Sequence, residues 1–174
     1  MGPPRFPVRS TMKVFISYRR GDAVALAGRL YDRLCSRIGS GSVFMDLENI
    51  PVGEDFNRSI NDAIVQSDVL LVLIGPEWVP LLEKSAAPVD VVTEEIAIAL
   101  RHGILVIPVL LGNTSMPRES DLPAPIHLLA ARNALRLEPG ERFSSDVERL
   151  IQALPSSTGP RTSLFQRFRT WLTR

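Results

Sequence analysis

Cysteine and histidine are scarce: Cys35, His102 and His127 are the only three in 174 residues. A lone cysteine excludes an internal disulfide, and two histidines without a cysteine cluster do not make a metal-ligand pattern. Long apolar runs are missing too. The longest, 69–74 and 104–111, fall far short of the roughly 20 residues that a spanning helix requires. The start is interrupted by Pro3, Pro4 and Pro7 and has no continuous hydrophobic region of the kind a secretory signal carries, so the expected compartment is the cytoplasm. Broad positive charge is lacking in the body. All 19 acidic residues but only 14 of the 20 basic ones lie within 12–154, which leaves that stretch at −5 and the two ends together at +6. Nucleic-acid binding needs clustered Lys and Arg against phosphate, so an acidic body argues against it.

What is present is apolar material in a repeating pattern. With 45% hydrophobic and 22% charged residues, the chain holds enough for one sizeable core and too little length for two ordinary domains. Short apolar runs alternate with longer helical patterns. Strands are expected at 14–17, 42–45, 69–74, 104–110 and 133–137, and helices at 23–38, 55–67, 89–102 and 144–154, with a broken stretch around Trp78 and Pro88. The run 69–74 is apolar throughout, which predicts a central strand. The pattern predicts an α/β fold, a flavodoxin-like doubly wound parallel five-stranded sheet with helices on both faces, whose ligands bind beyond the carboxyl ends of the strands. The organisation reads as an N-terminal tail (1–11), one domain (12–154), and a linker with a basic tail (155–174).

Candidate chemistry gathers on the loops after the first three strands. Ser17-Tyr18-Arg19-Arg20-Gly21-Asp22 puts two guanidinium groups at the mouth of the crevice, read either as an anion clamp or as ordinary solubility residues. No GxGxxG phosphate fingerprint occurs in this turn, which disfavours a standard dehydrogenase. On the helix near 89–102, at about 100° per residue, the stripe Val92, Ile96, Ala99 leaves Glu95 at its rim and Glu94 facing water. A carboxylate partly shielded at a crevice rim orients sugar hydroxyls or stabilises developing positive charge; the plainer alternative is a surface glutamate. Asp46 is read as a ribose-hydroxyl acceptor or a turn cap, and Phe56 and Trp78 as ring-stacking groups or core. Cys35 reads as a small core residue.

The segments VFISYRR (14–20), VFMD (43–46), IPVGEDF (50–56), IGPEW (74–78), VVTEEI (91–96), VIPVL (106–110) and ARNA (131–134) occur in an order that resembles Toll/interleukin-1 receptor (TIR) domains. The resemblance spans about 12–154 and looks closest to the bacterial "ISYRR" branch. It implies one of two activities. Enzymes of the family cleave the nicotinamide-ribose bond of NAD+ with a helix glutamate, giving nicotinamide and ADP-ribose or cyclic ADP-ribose, with NAD+ as substrate and no cofactor. Adaptors of the family self-associate in signalling.

By position, the resemblance implies that the catalytic glutamate corresponds to Glu95. The resemblance places Arg19 and Arg20 near the phosphates or ribose, Asp46 at the floor of the site, Phe56 on a closing loop, and Trp78 on the wall; Ser17 is expected among the substrate-binding residues. Several family enzymes carry an aromatic residue four positions before the glutamate, where this chain has Val91. The implied partners are NAD+, other TIR domains by self-association, and a fused or separate sensor in bacterial defence. The tail RTSLFQRFRTWLTR (161–174) reads as a membrane or partner-helix contact, or as a bland end.

Overall fold

Side chains of a β-strand point to alternate faces, and that period of two sorts the core into two layers. The computed structural model describes residues 12–45, 56–85 and 90–155, and only the backbone of 56–58. In β1 (Val14–Ser17), Val14 and Ile16 join one apolar cluster while Phe15 joins the other. In β3 (Val69–Ile74), Val69, Leu71 and Leu73 face the first layer, and Leu70, Val72 and Ile74 the second. The first layer is covered by α1 (Arg20–Ile38), through Ala23, Ala27, Leu30 and Leu34, and by α5 (Phe143–Ala153), through Val147 and Leu150. Three helices cover the second: α2 (Phe56–Val65), α3 (Trp78–Glu83) and α4 (Val91–Arg101). Both faces of the sheet are therefore buried, the arrangement in which parallel strands occur.

With β2 (Val43–Met45), β4 (Leu105–Leu111) and β5 (Leu135–Leu137), the five strands run parallel in the order β2-β1-β3-β4-β5. This is the doubly wound flavodoxin-like order, and it carries its switch point between β1 and β3. The sequence-based fold class is the observed one, and β3 is central and wholly buried as expected.

Local details differ from expectation, several element ends by one or two residues. The first helix begins at Arg20 rather than at 23, because the backbone N–H groups of Asp22 and Ala23 already bond to Arg19 O at 3.0 Å. The broken stretch after β3 contains the short helix α3, since Pro80 falls in its first turn, where a missing N–H costs nothing. Segments Glu119–Asp121 and Ala124–Ala131 form 3-10 turns that no apolar periodicity announces, and Ile126 and Leu129 of the second are buried. The last strand is shorter than 133–137. The expectations for the tails, 1–11 and 156–174, and for the 46–55 loop lie outside the described residues. Among the described residues, no helix is long and apolar enough to cross a membrane.

Candidate active site

Strand β1 ends at Ser17, paired with Val72 of β3, so Ser17 stands at the carboxyl edge on the switch point itself. Its side chain is 1% exposed. Ser17 Oγ donates a hydrogen bond of 2.6 Å to Glu95 Oε2 in the second turn of α4. Glu95 is half-buried, whereas Glu94 is exposed and pairs with Arg101 at 2.9 Å. The helical phase of the stripe Val92, Ile96, Ala99 separated these two glutamates correctly.

Helix α4 is started by Asp90, whose carboxylate accepts the Thr93 backbone N–H at 2.8 Å and the Thr93 hydroxyl at 2.5 Å. This satisfies one of the donors that every helix start leaves unpaired. The same carboxylate takes both arms of Arg19, Nη1 to Oδ1 at 2.6 Å and Nη2 to Oδ2 at 2.8 Å. Burial pushes the Asp90 carboxyl upward, but the hydrogen bonds from Arg19 and Thr93 outweigh it and hold the group below the ordinary aspartate range. Arg19 is 7% exposed and lies over the Trp78 ring, 4.9 Å from its centre. Trp78 is wholly buried at the start of α3.

Asp22 ties a third segment to the same loop. Its carboxylate accepts Gly75 N–H at 2.8 Å and Glu77 N–H at 3.0 Å, holding the β3–α3 turn against the first turn of α1. Gly75 leaves the space that the Asp22 carboxylate fills. A Cβ at that position would lie 2.4 Å from Asp22 Oδ1.

The structure thus brings together Ser17, Arg19, Trp78 and Glu95. Arg19 and Trp78, which the resemblance places beside substrate, are instead buried and engaged, Arg19 with Asp90 and with the Trp78 ring; for Trp78 the core alternative is the one observed. Arg20 is exposed on the first residue of α1, next along the chain from Arg19. Asp46 and the side chain of Phe56 lie outside the described residues. Val91, one helical turn before Glu95, is 45% exposed. Sequence reasoning missed Asp90, Asp22 and Gly75. The first was findable as an aspartate three residues before Thr93 at a helix start, a capping pattern; the other two carry no local signal.

A family model described as TIR domain matches residues 14–151. The chain belongs to the TIR-domain family. Two solved structures share the fold with this TIR domain. One is the activated Roq1 resistosome directly recognizing the pathogen effector XopQ, in its TIR domains, with 14% identity, 81% of this chain and 98% of that chain covered, and a TM-score of 0.61. The other is a metazoan TIR-STING receptor from C. gigas in complex with 2',3'-cGAMP, with 21% identity, 84% of this chain and 41% of that chain covered, and a TM-score of 0.54. No curated protein matches this TIR domain in sequence.

Proposed function

We propose that this TIR domain is an NAD+ glycohydrolase with Glu95 as its catalytic carboxylate. The observation that carries the reading is the Ser17–Glu95 hydrogen bond at the switch point, which aims a half-buried carboxylate at the edge where ligands of this fold bind. The nicotinamide of NAD+ is a cationic pyridinium. When the C1′–N bond breaks, the electron pair stays on nitrogen and nicotinamide departs neutral, without a proton or a metal ion. Positive charge is left on the ribose, and a carboxylate within reach of the ribose hydroxyls stabilises it. Water then adds to C1′ and releases a proton, or an adenine nitrogen adds in its place to give the cyclic product.

Ser17 holds one Glu95 oxygen, and Arg20, exposed at the same rim, serves the phosphates. Asp46 and Phe56 belong to the proposal by their place in the sequence alone. Self-association completes the site, NAD+ being met in the cytoplasm, and a sensor in a bacterial defence response supplies the trigger. The likeness to the TIR domains of a resistosome fits such a setting.

The test is nicotinamide release from NAD+ by the full chain, dilute and tethered, with Glu95→Ala alongside. Release that the variant loses upholds the reading. Intact NAD+ after hours with tethered, folded protein sinks it. One observation favours the other reading, an adaptor docking through 46–56: Val91 offers no ring for nicotinamide to stack on. In that case Phe56→Ala abolishes association, and Glu95→Ala leaves it intact.

A further inference from the structure

The end of β1 and the loop after it meet α4 and its cap at two places. Ser17 reaches Glu95, and two residues on, Arg19 reaches Asp90, five residues before Glu95. A single contact lets a helix pivot; a second, two-armed contact removes that freedom. Because Asp90 is also the residue on which α4 starts, any displacement of its carboxylate displaces the first turn of the helix. The Trp78 ring lies beneath the guanidinium, its centre 4.9 Å away, and adds a third contact to the fork.

We propose that Arg19 and Asp90 are positioning residues, whose two-armed ion pair laid on Trp78 fixes the start of α4 and thereby the place of Glu95 against Ser17. The inference rests on the glycohydrolase reading of Glu95. The arrangement is an expensive way to fill a core. Arg19 Nε and Trp78 Nε1 are buried with no hydrogen-bond partner among the described residues, and each such donor costs about 1–3 kcal/mol. Apolar side chains of similar volume are often as stabilising as a buried ion pair or more so, so packing alone does not call for this one. What apolar residues do not supply is direction: two parallel N–H···O bonds and a flat cation on a ring tolerate one geometry.

Three variants of the full chain separate position from stability. Asp90→Asn keeps an oxygen for the Thr93 cap and removes the charge. Arg19→Lys keeps the charge and removes the fork. Arg19→Met with Asp90→Asn removes both charges together, so that neither is left buried alone, and this double variant is expected to melt within a few degrees of the wild type. In each, kcat for nicotinamide release is expected to fall about 10- to 100-fold, the scale of a displacement of about 1 Å, with KM within about threefold. Hydrogen exchange at the amides of 94–97 is expected to quicken about tenfold.

A folded double variant with wild-type kcat overturns the proposal, because the pair would then serve stability only. A rise in KM alone also overturns it, by placing Arg19 on the substrate. If the wild-type chain itself releases no nicotinamide, the glycohydrolase reading falls and exchange alone decides. Faster exchange in the double variant then upholds the clamp on α4, and unchanged exchange removes it.

Discussion

Ser17 Oγ and Glu95 Oε2 stand 2.6 Å apart, joining residues 78 positions distant in the chain across the point where β1 and β3 send their loops to opposite faces. A hydroxyl donating to a carboxylate is a charge-assisted bond, worth about 1.5–3 kcal/mol. Ser17→Ala is therefore expected to lower kcat for nicotinamide release by about 10- to 100-fold through a misdirected carboxylate. Steady-state kinetics check it. Unchanged kcat in the variant would show that Glu95 is held by other contacts.

Glu94 and Glu95 are neighbours with different surroundings. Glu95→Ala is expected to abolish release to the limit of detection. Glu94→Ala loses only an exposed pair with Arg101, for which surface ion pairs give about 0–1 kcal/mol, and keeps full activity. Parallel assays of the two variants decide between a specific role for Glu95 and a general need for acid on α4.

Acid stability follows from Asp90. Its folded-state pKa lies below the ordinary aspartate value of 3.8 despite burial, through the Arg19 and Thr93 hydrogen bonds. A depressed pKa means that the folded chain holds its proton less tightly than the unfolded one. The stabilisation is complete above pH 3.8 and drains away as pH falls from there through the folded-state pKa. Thermal melts between pH 6 and pH 3 are expected to show a steeper acid decline in the wild type than in Asp90→Asn. Parallel declines would assign the acid sensitivity to other carboxyls.

A methyl group at Gly75 would displace the Asp22 carboxylate, whose Oδ1 would lie 2.4 Å from the added Cβ. Gly75→Ala is expected to destabilise by about 1–3 kcal/mol through displacement of the carboxylate that orders the β3–α3 turn. Adding Asp22→Ala removes the clash, so the double variant is expected to lose less than the two single changes combined. Denaturant melts of the three variants measure this coupling.

Val91 stands one turn before Glu95 and is exposed. Val91→Trp places a ring where the nicotinamide end of a dinucleotide is expected, and stacking is worth about 0.5–1.5 kcal/mol. KM for NAD+ is expected to fall about two- to tenfold. An unchanged KM would place the nicotinamide away from this face of α4.

Much of the fold was legible in the amino-acid sequence. The all-apolar run 69–74 had to be a central strand, because each alternate side chain needed a buried face. The rim position of Glu95 followed from helical phase alone, since 100° per residue and an apolar stripe leave few choices. The sequence left Arg19 open between an anion clamp and a solubility residue and Trp78 between a stacking group and core, and the structure buries both, Trp78 in the core. Nothing in the spacing of Arg19 and Asp90, 71 residues apart, distinguishes a guanidinium that meets a ligand from one that meets a helix cap.

By itself, then, the amino-acid sequence determined the doubly wound sheet and the half-buried rim position of Glu95, because periodicity and burial are local properties that short segments carry. Only the tertiary structure decided that Ser17 grips Glu95, that Arg19 turns inward to Asp90 over Trp78, and that Asp22 occupies the space over Gly75. Those choices depend on which loops the strand order brings together, and partners so far apart in the chain meet only once the sheet is closed.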